Sequence, residues 1–291
     1  MFVPAISSDA VLRFLPGLEY GRAEGSPLLL DLLLPEMTTP RPPLSIWLHG
    51  GGWFSGSRAN GPTYWCALHA AHGFATASVD YRLSQDAPFP AQIKDIKIAI
   101  RWLRAHADDY GFDPNWIGIW GHSAGGHLAS LAGVTGNHPT DLEPEFGLRG
   151  VSSAVQAVAT ASASADFDHW WQPDEEWVVR QLFDGDLANT DLLRLASPLA
   201  HVGPDAPPFL IAHGTLDETV PYDQALRLQH ALEAAGVNVD FVEIEDGYHN
   251  WNVTPDSTWP KVRYMEFAQV SLRFFCDELL RERWLKGDRR D

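Results

Sequence analysis

The segment from Gly121 to Gly125 (GHSAG) constrains the fold of this chain more than any other part of its sequence. It fits the pattern G-x-S-x-G, follows the strand-like run Trp116 to Trp120, and precedes a run of helix-forming residues that begins at Gly126. A serine on such a sharp strand-to-helix turn needs small neighbours, because larger side chains would collide with the strained backbone. The sequence therefore predicts that Ser123 is a nucleophile presented above a sheet. A plain turn rich in glycine and serine is the alternative.

A glycine loop, His49 to Trp53 (HGGGW), directly follows the strand-like run Leu44 to Leu48. Acyl transfer places negative charge on a carbonyl oxygen in the transition state, and preorganised backbone N–H groups stabilise that charge. Glycine lets the backbone come close enough to do so. We expect the N–H groups of Gly51, Gly52 and Ala124 to form this oxyanion hole. A phosphate-binding loop is less favoured because no Lys-Ser/Thr pair follows, and a plain glycine turn is a further alternative.

A weak serine nucleophile needs a base, and the base needs an orienting acid. Asp217 and His249 each follow a strand-like run, so that the chain order is Ser123, Asp217, His249. Among the 12 histidines of the chain, only His249 is assigned as the base, because it follows the last strand-like run. Glu218 is the main rival for the acid, with Asp223 behind it. Sites of open α/β sheets lie at the carboxyl ends of strands, which fits this arrangement.

Short apolar runs alternate with helical patterns along most of the chain. The strand-like runs are Leu44 to Leu48, Phe74 to Val79, Trp116 to Trp120, Phe209 to Ala212 and Val239 to Ile244. Residues 90–107 repeat isoleucine and leucine at helical spacing, and Ala225, Leu228 and Leu232 do so later. This alternation predicts an α/β fold, with a mostly parallel sheet covered by helices on both faces. At 291 residues we expect one domain over residues 1–291.

An irregular stretch at about 161–208 interrupts this alternation and is too long for an ordinary loop. It is rich in tryptophan, aspartate and proline, and it is interpreted either as a lid over a site or as a surface excursion that packs on the body. Trp170 and Trp171 lie in it and are candidates to line a substrate pocket. Trp53 beside the glycine loop and Trp251 beside His249 are further candidates for substrate binding.

Composition excludes several classes of partner. With 21 Lys+Arg and 38 Asp+Glu, the formal net charge of −17 repels phosphate backbones and anionic lipids, so we expect neither a nucleic-acid nor a membrane partner. Cys66 and Cys276 form no cluster of metal-binding or disulfide spacing, and no metal site is predicted. The first residues lack the charged and apolar regions of a signal peptide, which favours a cytoplasmic location.

Taken together, these motifs resemble the α/β-hydrolase superfamily, in the branch of hormone-sensitive-lipase-like esterases and bifunctional feruloyl and acetyl-xylan esterases. The matching segments include Leu48–Trp53, Asp80–Leu83 (DYRL), Phe89–Gln92 (FPAQ), Gly121–Ala129 (GHSAGGHLA), His213–Gly214, Asp217, Val220–Pro221 and Gly247–His249. The resemblance implies an eight-stranded core, Ser123, Asp217 and His249 as a catalytic triad, and ester hydrolysis without a cofactor. Residues 155–167 depart from the usual pattern, which leaves the acyl pocket undefined.

The function expected from this resemblance is that of a serine carboxylic-ester hydrolase, which acts through an acyl-enzyme on small short-acyl or aromatic esters. An amidase of arylformamidase-like or peptidase-like type would use the same groups. A non-catalytic module that binds a small molecule on the same scaffold is the alternative of another class.

Overall fold

One eight-stranded sheet forms the centre of the molecule, in the strand order β1-β2-β4-β3-β5-β6-β7-β8. The computed structural model describes residues 12–35, 40–61, 65–136, 140–169, 176–251 and 261–281. The strands are β1 (Arg13–Ala23), β2 (Ser26–Leu34), β3 (Leu44–Leu48), β4 (Ala75–Val79), β5 (Ile117–His122), β6 (Ala157–Ala161), β7 (Phe209–Gly214) and β8 (Val239–Ile244). The predicted α/β fold and the eight-stranded sheet implied by the resemblance are confirmed.

Helices connect the strands and cover the sheet. The α-helices are α1 (Ala67–Ala71), α2 (Ala91–Ala105), α3 (Ala107–Tyr110), α4 (Ala124–Thr135), α5 (Glu176–Leu182), α6 (Thr190–Ala196), α7 (Asp223–Ala234) and α8 (Lys261–Phe275). Short 3₁₀ turns lie at Arg58–Asn60, Phe167–His169 and Pro198–His201, and α8 continues as a wider helical turn over Cys276–Arg281. In the part of the chain that the structure describes, no helix is long and apolar enough to cross a bilayer.

Strand direction decides where the site can form. Strand β2 pairs antiparallel with β1 and β4, whereas β4, β3, β5, β6, β7 and β8 are parallel to one another. The carboxyl ends of these parallel strands therefore meet at one edge of the sheet, where open α/β folds keep their sites.

The two central strands, β3 and β5, are buried along their whole length. Successive side chains along each strand point to opposite faces of the sheet, where they pack into two separate cores. Ile46 shares one core with Leu128 of α4, and on the other face of the sheet Trp120 packs against Phe267 of α8. Strands with two buried faces read as continuous apolar runs, which explains why the sequence predicted them.

Strand β6 was not among the predicted strands. Three of its five residues (AVATA) are alanine, which is depleted in strands. The structure gives the reason for these small residues: Ala157, Ala159 and Ala161 face the core under α8, which large rings such as Trp120 and Phe267 fill, whereas Val158 and Thr160 face α4 at very close range. A Cβ atom on Gly133 would lie 2.4 Å from Val158, and one on Gly126 would lie 2.7 Å from Thr160. Close packing against helices, rather than strand propensity, therefore selects the residues of β6.

Smaller differences concern the ends of elements. The strand predicted from Phe74 begins at Ala75, and the strand predicted to end at Ala212 continues to Gly214. The helix predicted over residues 90–107 ends at Ala105, and α3 follows it after one residue.

A buried ion pair connects α2 to the loop that contains Glu143. The side chain of Lys97 is fully buried, donates to the Thr135 carbonyl at 3.0 Å and forms an ion pair with Glu143, which also pairs with Arg101. Burial lowers the pKa of Lys97, and the Glu143 carboxylate opposes that shift. The pair is therefore needed to keep the buried ammonium charged at low cost.

Replacing Glu143 by Gln should lower the free energy of unfolding by about 3 kcal/mol, because it leaves the buried Lys97 ammonium without a carboxylate. Urea unfolding of the two proteins measures this difference. Glu145→Gln is the matched control, since Glu145 pairs with Lys94 at 3.7 Å but its side chain is 86% exposed. The control should be nearly neutral, and equal losses in the two variants would contradict this account.

Candidate active site

The strand-to-helix turn between β5 and α4 holds Ser123 in a backbone conformation that few residues adopt. Its φ and ψ angles are 55° and −124°, in a region unfavourable for a residue with a Cβ atom. Hydrogen bonds fix this conformation on both sides. The Ser123 N–H donates to the Ala161 carbonyl at 2.8 Å, and the Ser123 carbonyl accepts from the His127 N–H at 2.9 Å. The surrounding fold therefore maintains a strain that is common at functional sites.

The glycines that flank the serine allow the backbone of the turn to touch strand β3. A Cβ atom on Gly125 would lie 2.2 Å from the Leu48 carbonyl oxygen, and one on Gly121 would lie 2.5 Å from the Gly125 carbonyl carbon. These neighbours are backbone atoms, which cannot rotate away as a side chain could. The two glycines of G-x-S-x-G are thus required by this contact, which sets Ser123 beside the loop that follows β3.

Ser123, His249 and Asp217 form a continuous line of hydrogen bonds at the carboxyl edge of the sheet. The Nε2 atom of His249 lies 3.1 Å from the Ser123 Oγ atom, and its Nδ1 atom lies 2.9 Å from both carboxylate oxygens of Asp217. An ionised carboxylate accepts hydrogen bonds only, so Nδ1 carries the proton and Nε2 is left to accept the serine proton. The three residues that the sequence named are brought together, in a geometry that suits proton transfer from the hydroxyl.

The Asp217 side chain is completely buried and is held by several donors. Its Oδ1 atom accepts from the N–H groups of Thr219 at 3.0 Å and Val220 at 2.8 Å, and its Oδ2 atom lies 3.1 Å from His213 Nε2. Burial alone would raise the pKa of Asp217, but hydrogen bonds from His213 and His249 outweigh it and lower the pKa well below its usual value. Asp217 is therefore ionised at neutral pH.

Glu218, the rival acid, makes a different contact. Its Oε2 atom accepts from the His249 backbone N–H at 3.1 Å, whereas the imidazole of His249 faces Asp217. Glu218 thus holds the backbone of the loop that carries His249. The geometry favours Asp217 over Glu218 as the orienting acid.

Two further contacts fix the loop of His249. His122, the residue before the serine, donates from Nε2 to the His249 carbonyl at 3.0 Å. Burial lowers the pKa of His122 to about 3, so it is neutral and has a single N–H to give. Trp251 donates from Nε1 to the Ser162 hydroxyl at 3.1 Å and packs on Phe267 of α8. The loop of His249 is therefore anchored to the turn of Ser123, to the end of β6 and to α8.

The glycine loop runs next to the serine. A Cβ atom on Gly50 would lie 3.5 Å from the Ser123 Cβ atom, so the loop backbone is in van der Waals range of Ser123. Gly51 and Gly52 have φ angles of 110° and 59°, which favour glycine. The first N–H groups of a helix have no acceptor within it, which leaves the Ala124 N–H of α4 available. That the N–H groups of Gly51, Gly52 and Ala124 bind an oxyanion stays a prediction.

The tryptophans expected near a substrate fall into two groups. Trp53 is buried, has a φ angle of 62° and donates from Nε1 to His127 at 3.1 Å, so it anchors the glycine loop on α4. Trp251 is likewise buried. Substrate contact by these two residues stays a prediction, and the structure adds a positioning role for each. Trp170 and Trp171 lie outside the described residues.

An aromatic pair that the sequence did not single out lies beside the glycine loop. The rings of Phe54 and Trp177 meet edge to face with centroids 4.8 Å apart, and Trp177 is 53% exposed. Trp177 lies in the first turn of α5. A Cβ atom on Gly52 would lie 2.8 Å from the next residue, Val178. The described part of the excursion at 161–208 thus contacts the glycine loop. Its role as a lid stays a prediction.

Comparisons with known proteins identify the family of this chain. Residues 30–232 match the BD-FAE family. Esterase LipC of Mycobacterium tuberculosis (strain ATCC 25618 / H37Rv) is 34% identical over 227 residues, which are 75% of this chain and 55% of LipC, so the chain spans about half the length of that relative.

Solved structures match over nearly the whole chain. A truncated form of a carbohydrate esterase from gut microbiota superimposes with a TM-score of 0.79 at 28% identity, covering 94% of this chain and 99% of that one. Thermogutta terrifontis esterase 2, phosphonylated by sarin, gives a TM-score of 0.76 at 26% identity, with 95% and 97% covered.

Replacing Gly125 by Ala should destabilise the turn of Ser123, because the new Cβ atom would meet the Leu48 and His49 carbonyl oxygens at 2.2 and 2.6 Å. We expect a lower melting temperature and a loss of at least about tenfold in the rate at which a fluorophosphonate labels Ser123, since a misplaced nucleophile reacts slowly. Gly203→Ala is the control, because no atom lies within 4 Å of a Cβ atom there. Labelling of Gly125→Ala at the control rate would contradict the role assigned to this contact.

Proposed function

The chain belongs to the BD-FAE family of α/β-hydrolases, and we propose that it hydrolyses carboxylic esters with Ser123 as the nucleophile. The observation that carries this proposal is the unbroken line from the Ser123 hydroxyl through the His249 imidazole to the buried Asp217 carboxylate. Relatives and structural neighbours named as esterases support it.

The reaction follows from the atoms in this line. Ser123 Oγ attacks the ester carbonyl carbon while its proton moves to His249 Nε2, and Asp217 stabilises the imidazolium that forms. The carbonyl oxygen becomes an oxyanion, which we assign to the N–H groups of Gly51, Gly52 and Ala124. Collapse of the tetrahedral intermediate breaks the bond to the alcohol, which leaves with the proton of His249.

The resulting acyl-enzyme is then hydrolysed by the same groups. Water gives a proton to His249 and attacks the acyl carbon, and the second tetrahedral intermediate releases the acid and returns the proton to Ser123. Amide cleavage would use the same groups. The esterase names of the relatives favour esters, and a matched pair of ester and anilide substrates separates the two activities.

A non-catalytic binding role is disfavoured by the geometry. A module that only binds a ligand has no need for a serine hydroxyl within 3.1 Å of an imidazole whose other nitrogen is paired with a buried carboxylate. Nor would it need the strained backbone of Ser123.

Features around the site support small substrates with a short or aromatic acyl group. The excursion at 161–208 is acidic, with carboxylates at Asp166, Asp168, Asp174, Glu175, Glu176, Asp184 and Asp186. Such a segment gains little by lying on an oil surface. The exposed Trp177 ring beside Phe54 offers an apolar wall next to the glycine loop, as small-molecule pockets usually do. A cytoplasmic location remains the expectation from the sequence.

Asp217→Asn should lower kcat by about 10⁴, because an amide that donates to His249 Nδ1 stabilises the wrong tautomer. Glu218→Gln is the matched control and should be nearly silent, since its amide oxygen can still accept from the His249 N–H. Steady-state hydrolysis of p-nitrophenyl acetate measures both variants. Equal losses, or a loss only in Glu218→Gln, would reverse the assignment of the acid.

A series of p-nitrophenyl esters tests the proposed substrate size. We expect kcat/KM to be highest for acetyl to butyryl and aromatic acyl groups and to fall for chains longer than about eight carbons, as a small pocket with an aromatic wall would require. The rate should not jump above the micelle concentration of the longer esters. A steady rise of kcat/KM with chain length, or such a jump, would contradict this specificity.

A further inference from the structure

A second histidine contacts the acid of the line, on the side away from His249. His213 occupies the carboxyl end of β7, is 1% exposed, and places Nε2 3.1 Å from Asp217 Oδ2. The same Nε2 atom lies 2.9 Å from the Val220 carbonyl oxygen. A carbonyl oxygen accepts only, so Nε2 carries a proton and shares it between Val220 and Asp217.

This sharing completes the support of the carboxylate. Oδ1 is held by the N–H groups of Thr219 and Val220, which come from the loop after β7. Oδ2 receives its support from His213, which comes from the strand itself. The two oxygens are thus fixed from different elements, and the plane of the carboxylate is set toward His249 Nδ1.

We propose that His213 is a positioning residue for the reaction: it orients Asp217 and limits how strongly the carboxylate favours protonation of His249. This inference rests on the proposed function. The His213 N–H directs its positive end at Oδ2, where it draws charge away from the bond to His249. An Asp217 without this donor presents its full charge to His249 and so favours the imidazolium.

Other groups around the pair make separate contacts. Glu218 binds the His249 backbone N–H, and the neutral His122 binds the His249 carbonyl. On the other side of His213, the ring of Tyr222 lies 5.9 Å away and its hydroxyl donates to Glu243. None of these hydrogen bonds involves the His213 side chain, so we expect the effect of a His213 substitution on His249 to be transmitted by Asp217.

The consequence for pH dependence has a definite sign. Removing the His213 N–H favours protonated His249, so the ring becomes half-protonated at a higher pH. The neutral form of His249 is the competent base, and the acidic limb of kcat/KM should therefore move to higher pH by the same amount. A purely structural role would lower stability and rate without moving this limb.

The test uses the full chain with ¹³C-labelled histidine. NMR titration follows the His249 ring signal, identified by its absence from His249→Asn, and p-nitrophenyl acetate hydrolysis gives the kcat/KM profile. In His213→Leu we expect both midpoints to rise by about half a pH unit, which is less than a direct hydrogen bond to a charged group would give, because the lost bond acts on His249 only through Asp217. His213→Gln, whose amide N–H reaches toward the same place as Nε2, should return most of the shift.

His69→Leu provides the matched control. His69 is also a buried histidine that donates from Nε2 to a carbonyl, that of Ala268, but it lies in the other core, under α8. Its replacement should cost stability and leave both midpoints where they are.

The outcomes separate this proposal from the proposed function. Unchanged or lower midpoints in His213→Leu overturn the role of His213. If His213→Leu does not fold, His213→Gln is compared with His213→Asn, whose shorter amide does not reach Asp217, and equal midpoints in those two overturn it. An NMR shift in a protein without esterase activity would support His213 and contradict the esterase function.

Discussion

The contact between the backbone of α4 and the end of strand β3 is the constraint on which the site depends. Gly125 lies against the Leu48 and His49 carbonyl oxygens with no room for a side chain. That contact places Ser123 on the edge of the sheet and keeps it beside the glycine loop, which is simply the continuation of β3. Ser123 and the neighbouring N–H groups are thereby fixed by close backbone packing, which leaves them little room to move.

His249, in contrast, is held by hydrogen bonds from residues at the ends of two strands. Its imidazole is bound by Asp217, its N–H by Glu218 and its carbonyl by His122. Two strand ends supply these partners, those of β5 and β7, so a shift of either one would move His249 relative to Ser123. The proposed reaction requires these side chains to be held in fixed positions, because misplacement by about 1 Å can lower the rate by two orders of magnitude.

Much of this architecture could be predicted from the sequence, because its signals are local. The glycines around Ser123 indicate the strand-to-helix turn. The order of strands and helices predicts a parallel sheet in which the carboxyl ends of the strands meet at one edge. Strand β6 was missed because its alanines are suited to the close packing of large rings under α8 rather than to strand propensity. Local pattern carries no information on such a contact.

Hydrogen bonds between side chains that are far apart in the sequence are the other feature that could not be predicted. The bond from His122 to the His249 carbonyl joins residues 127 positions apart, and nothing around either residue indicates it. His213 bonds to the carbonyl of Val220 nearby in the sequence, yet its contact with Asp217 depends on how the loop folds back. Trp53 was expected near substrate from its position beside the glycine loop, and only packing reveals that its ring is buried on α4.

Reaction with an organophosphate measures the central claim most directly, because it traps the nucleophile that the base activates. After incubation with paraoxon, the account predicts one diethylphosphoryl group per chain, found by peptide mass spectrometry on Ser123, with loss of ester hydrolysis in proportion to labelling and no labelling of Ser123→Ala. A group attached elsewhere while Ser123 stays unmodified, or ester hydrolysis that persists in Ser123→Ala at the rate of the native chain, would contradict it.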